Sequence, residues 1–246
     1  MRTPKIFIMV LVLLTLSAFT VHAGWVETTQ EGVSYYGNGL LKQVPSPEMG
    51  GPESIMDFTK GTVTLVDPGS RTYTTFKFEE FCEFLKKMYT GMSPDMLAQI
   101  KQMNEGMPKA NVKVERIGKG ETIAGYSTIK YQVMNNGQPE RMVWIAEDAP
   151  MKKYISSYWD QAMDGIVKMT RCEDLGLRGD GVDSSPAYLG LVKGGWLMKE
   201  ELMEEESFGG ESTPVEKLEE KDLPSSNFEV PQGYKKVPLG QFNISN

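Results

Sequence analysis

Polar and apolar residues alternate in Thr62-Val63-Thr64-Leu65-Val66, the pattern of a strand with one buried face. Similar short runs predict strands at Trp25–Thr29, Val33–Tyr36, Leu40–Val44, Ser54–Phe58, Thr62–Asp67 and Tyr73–Phe78. Turn chemistry separates them: Gly37-Asn38-Gly39, the proline- and glycine-rich PSPEMGGP stretch at 45–52, and Asp67-Pro68-Gly69-Ser70. The period then changes. Phe81, Phe84, Leu85 and Met88 recur at helical spacing, and Gly91 closes that helix. Ser93 is a suitable N-cap, followed by Pro94 and Asp95, for a second helix whose apolar stripe is Met96, Ile100, Met103 and Met107, ending before Pro108.

Strands return at Val112, Val114 and Ile117. Asn135-Asn136-Gly137 joins Tyr126–Met134 to Gln138–Ala146 as a hairpin. Pro150 opens a third helix with a stripe of Met151, Ile155, Tyr158, Ala162, Ile166 and Met169. A loop over Gly176–Pro186 follows, then late strands at Trp196–Met203, Thr213–Leu218 and Gly233–Val237. The acidic stretch Lys199–Asp222 reads as a solvated edge. This order predicts an α+β fold in which one curved antiparallel sheet, a half-barrel, carries two or three helices on its concave face.

The N-terminus changes the setting. Arg2 and Lys5 precede the apolar run Ile6–Leu16, and Val21-His22-Ala23 suits a cleavage site. Residues 1–23 thus read as a secretory signal peptide, and 24–246 as one exported domain, periplasmic or secreted. The stretch 6–21 is shorter than the roughly 20 residues a spanning helix needs, and no other run approaches that length. Cleavage removes Arg2, Lys5 and His22. The net charge of −7 becomes −9, and the sole histidine is lost. An acidic chain argues against a nucleic-acid partner. A chain without histidine lacks Ser-His-Asp, Cys-His and HExxH chemistry. No cofactor and no metal is expected, and the chain reads as a non-enzyme.

Short motifs offer little. Ser127-Thr128-Ile129-Lys130 matches the Ser-x-x-Lys of penicillin-binding enzymes but falls inside a strand, not at a helix start. Gly118-Lys119-Gly120 lacks phosphate-loop spacing. Arg178-Gly179-Asp180 is too short to signify adhesion, and Asp180 with Asp183 supplies too few oxygens for Ca²⁺. Glu79, Glu80 and Glu83 read as a solvated helix surface. Met88, Met92 and Met96 are spaced for a thioether copper site, yet Gly91, Ser93 and Pro94 interrupt the helix between them. The many methionines suit a core or an adaptable ligand lining better.

Several segments resemble a family of exported bacterial proteins known only as domain-of-unknown-function family 4412. They are Gly120–Tyr126 (GETIAGY), Lys130–Val133, Val143–Ala146, the upstream VTLVDPGSRTY at 63–73, and the C-terminal Leu223-Pro224, Asn227-Phe228, Val230-Pro231 and Gly233-Tyr234-Lys235. That family is similar in architecture to periplasmic lipoprotein carriers of the LolA and LolB type. The resemblance implies a curved sheet around helices with an apolar concave face, and no catalytic residues.

Two expectations follow from the residues themselves. Cys82 and Cys172, both on predicted helices, form a disulfide in an oxidising compartment. A ligand lies between sheet and helices, lined by Val63, Leu65 and Phe76 from early strands and Ile129, Tyr131, Val133, Met142 and Trp144 from the hairpin. Met96, Ile100 and Met103, with Tyr158, Ala162 and Ile166, close over it. The function expected is apolar ligand binding, with a lipid, acyl chain or lipoprotein segment as partner. A ligand-free structural protein with a filled core, or a carboxylate-based hydrolase, is the alternative. The return strand, Arg141–Ala146, is apolar on both faces, so it is either covered twice or borders a cavity.

Overall fold

The computed structural model describes residues 21–88, 92–106, 109–172, 175–178, 181–203 and 214–242. Fourteen strands occur in these: β1 (Val21–Thr29), β2 (Gly32–Gly37), β3 (Leu40–Pro45), β4 (Glu53–Asp57), β5 (Thr62–Asp67), β6 (Thr72–Lys77), β7 (Val112–Ile123), β8 (Tyr126–Asn135), β9 (Gln138–Ala146), β10 (Arg171–Cys172), β11 (Leu177–Arg178), β12 (Trp196–Leu202), β13 (Lys217–Pro224) and β14 (Lys235–Lys236). Four α-helices join them: α1 (Phe81–Met88), α2 (Pro94–Gly106), α3 (Met151–Thr170) and α4 (Pro186–Gly194).

The fold is α+β and mostly antiparallel, but the strands divide between two main sheets rather than one. The large sheet runs β13-β1-β2-β3-β4-β5-β6-β14, and the small one β12-β9-β8-β7. Within the large sheet β1 to β6 form a meander. β13 closes its β1 edge, with Trp25 opposite Glu220, and β14 adds a parallel edge beside β6. The chain crosses between sheets just before β13. There Val215 N–H donates to Met198 O at 2.9 Å and Glu216 N–H to Thr28 O at 2.9 Å.

Local chemistry explains most of the elements. In the β8–β9 turn Asn136 and Gly137 take φ of 51° and 82°, the left-handed pair that matches strand twist. The Ser93 hydroxyl accepts from Met96 N–H at 3.2 Å and caps α2. At α4, which the sequence pattern missed, Ser185 accepts from Tyr188 N–H at 3.2 Å, with Pro186 at the first helical position.

β9 is covered twice. Trp144 and Ala146 join Trp25, Ile123, Met198 and Leu218 in a cluster that draws on both sheets. Val143 and Ile145 face the other way, with Val133, Val182 and Tyr188, against α4. The small sheet therefore lies between the large sheet and α4. Each fully buried aliphatic side chain here contributes about 1.5–3 kcal/mol.

Cys82 and Cys172 form a disulfide, with Cα atoms 5.1 Å apart. Cys172 lies in β10, just past α3, rather than within a helix. α3 itself packs closely on Phe78. A Cβ placed on Gly165 would stand 2.4 Å from the Phe78 ring, so glycine is what permits this contact.

Candidate functional site: two cavities sharing Glu27

The first strand places Trp25 and Glu27 on the same face, because side chains two apart share a face. In the large sheet Trp25 lies opposite Tyr36 and Glu27 opposite Ser34. β12 crosses this face, and Trp196 Nε1 donates to Glu27 Oε2 at 2.7 Å. The Tyr36 hydroxyl also hydrogen-bonds the Glu27 carboxyl. Its ring meets Trp196 edge to face, with centroids 5.3 Å apart. Burial raises the Glu27 pKa from 4.5 to about 7, against the lowering effect of the Trp196 and Tyr36 hydrogen bonds. Burial, and then the charge of Glu27, push the Tyr36 phenol well above its ordinary range.

Glu27 lines a cavity of about 410 Å³ between the large sheet and the helices. The sheet contributes Tyr36, Leu40, Leu41 and Phe58. α3 contributes Tyr158, Trp159, Ala162, Met163 and Ile166, and α4 contributes Tyr188, Leu189 and Val192. The walls are apolar and aromatic, in the size range of small-molecule pockets, about 300–1,000 Å³. Among the described residues its lining includes no Ser, Thr, Cys, His, Lys or Arg. Gly39, at φ 75°, allows Tyr158 to rest against the backbone of the β2–β3 turn, since a Cβ there would stand 2.8 Å from the ring. A second cavity, about 480 Å³, lies on the other side of Glu27 and also shares Leu197. It is more polar, with Thr29, Ser34, Gln43, Ser54 and Lys199 among its lining.

Beside the apolar cavity stands a charged cluster. Arg141 pairs with Glu140 at 2.7 Å, Asp183 at 2.7 Å and Glu200 at 2.6 Å. The Tyr188 hydroxyl donates to Glu200 at 3.1 Å. Asp183, weighed in the sequence as a calcium ligand, is thus an ion-pair partner. Among the described residues no group of three or more His, Cys, Asp or Glu side chains is placed to hold a metal.

Of the expected lining, only Tyr158, Ala162 and Ile166 border the apolar cavity. Val63 and Phe76 are packed with Phe78 in a separate cluster, with Leu65 against it. Val133 and Tyr131 belong to the α4 side of the small sheet, and Met142 and Trp144 to its opposite side. Ile129 is half-buried opposite Ile145. The stripe on α2 faces outward: Met96 is 49% and Met103 66% exposed, Ile100 is half-buried, and no described residue of α2 is buried. Gly91, Met107, Pro108 and Asp180 lie outside the described residues. Thr128 is buried and donates to Glu121 O at 2.5 Å. Glu27 was missed, although its spacing from Trp25 was a usable signal.

No family model matches the chain. No curated protein matches it either. Among solved structures it is similar to an uncharacterized conserved protein from Thermus thermophilus, at 7% identity over 93% of this chain and 98% of that one, with a TM-score of 0.41. That likeness is too remote to bear on fold or function.

Proposed function

We propose that this chain is an exported, non-catalytic envelope protein that holds the hydrocarbon part of a lipid, acyl chain or lipoprotein segment. The observation that carries this reading is the apolar cavity of about 410 Å³ between the large sheet and α3 and α4. Export after cleavage at Ala23 accords with the disulfide, a bond that persists in oxidising compartments. No helix among the described residues is long and apolar enough to cross a membrane. The chain belongs, on this reading, with the family 4412 proteins and their LolA/LolB-like half-barrel, the helices standing against the concave side of the sheet. Native mass spectrometry and solvent extraction of protein purified from an exporting host test the idea. The expected result is a co-purifying apolar molecule, or saturable binding of added hydrocarbon probes. Absence of both would end the proposal.

A further inference from the structure

Resting on the cavity reading above, we propose that the two cavities form one divided site for a cationic amphiphile, the hydrocarbon in the apolar part and an ammonium-type head beside Glu27. Glu27 and Leu197 line both of them, and Glu27 is the charged group in that shared wall. A carboxylate offers about four acceptor positions, and its partners in the structure are the neutral donors Trp196 and Tyr36. Positions remain for a ligand N–H.

The charges around the site favour a cation. Among its described lining residues the apolar cavity carries Glu27 and Asp183, without Lys or Arg. Asp183 is engaged by Arg141 at 2.7 Å, which leaves Glu27 as the acid to be matched. On the polar side stand Glu31 and Lys199, and the Lys199 ammonium is held by Glu121 at 3.1 Å and Glu201 at 2.6 Å. The remaining titratable groups of the lining are the phenols of Tyr36, Tyr158 and Tyr188. Burial pushes Tyr36 and Tyr188 up, so both keep their protons near neutrality. A fatty-acid carboxylate beside Glu27 meets like charge in a poorly solvated place. An ammonium meets a carboxylate that burial has left short of solvation, and keeps it ionised. The acidic balance, −7 for the full chain and −9 after cleavage at Ala23, biases encounter the same way.

The test compares dodecylammonium and dodecanoate, each below its micelle concentration, and dodecanol below its solubility limit, binding at pH 8 to the wild-type protein and to Glu27→Gln. Dodecylammonium is expected to bind at least tenfold tighter than dodecanoate, with that preference lost in Glu27→Gln. Calorimetry at pH 7 in buffers of different ionisation heat is expected to show proton release on dodecylammonium binding to the wild type and none in the variant. If Glu27→Gln does not fold, the wild-type preference and proton release decide alone. Equal binding of all three probes, or an unchanged preference in a folded variant, overturns this inference and leaves the cavity reading standing. Binding of none overturns both.

Discussion

Trp196 and Glu27, 169 positions apart in sequence, meet in a 2.7 Å hydrogen bond that ties β12 to the face of the large sheet. Only a buried carboxylate needs such a donor, and burial is also what raises its pKa from 4.5 to about 7. A raised carboxyl pKa stabilises the fold below the unfolded value, and that contribution is lost as pH rises from about 4.5 to 7. The shift corresponds to about 3 kcal/mol. Carboxylates held low act oppositely, such as Asp67 by its bond from Ser70 and Glu219 by those from Lys217 and Lys221. The readout is therefore the difference between wild type and Glu27→Gln in urea unfolding. The variant is expected to be less stable than wild type at pH 4.5 and to match or exceed it at pH 8; parallel profiles would refute the buried titration.

Filling the apolar cavity separates binding from folding. Ala162→Phe projects a ring from α3 into it, and Ala162 is one of its lining residues. Hydrocarbon-probe affinity is expected to fall at least tenfold while the melting temperature holds or rises. Ile129→Trp, in β8 and away from this lining, serves as the control and is expected to leave probe binding intact.

The Cys82–Cys172 bridge closes a loop of 90 residues. In the chain-entropy model such a closure contributes about 4–5 kcal/mol. Thiol labelling of unreduced, denatured protein is expected to find neither cysteine free. The double Cys→Ser variant is expected to lose most of that stability in urea, and two labelled thiols in the unreduced wild type would contradict the bond.

Gly165→Ala ought to help a helix by about 1 kcal/mol on propensity alone. Here the added Cβ would lie 2.4 Å from the Phe78 ring, and overpacking costs about 1–3 kcal/mol. A net loss near 1 kcal/mol is expected, recovered in part by Phe78→Leu in the same chain. Stabilisation by the alanine would show that the contact is loose.

Arg141 joins β9 to the Asp183 turn and, through Glu200, to β12, and also pairs with its strand neighbour Glu140. Arg141→Met leaves Glu200, whose side chain is 14% exposed, without its cation. A loss of about 3 kcal/mol is expected. Most of it should return in Arg141→Met with Glu200→Leu, checked by a double-mutant cycle.

Local sequence determined the elements whose cause is local. Alternation marked β2 to β6, Asn136-Gly137 marked a turn that needs left-handed φ, and Ser93 marked a cap whose hydroxyl reaches three residues on. The cysteine pairing was legible because the chain has just these two cysteines. Tertiary structure decided the rest. Which sheet each strand joins depends on pairings such as β1 with β13, far apart in sequence, and alternation gives a face without a partner. The Met96 and Met103 stripe has helical period, but period does not say whether a neighbour covers it. α4 was hidden because a nine-residue helix containing Gly190 and Gly194 has weak intrinsic propensity, and it holds through its cap and its packing on Val143 and Ile145. Glu27 shares a strand face with Trp25, which local sequence shows, but that β12 crosses this face and takes the carboxyl out of water depends on a strand 169 positions away.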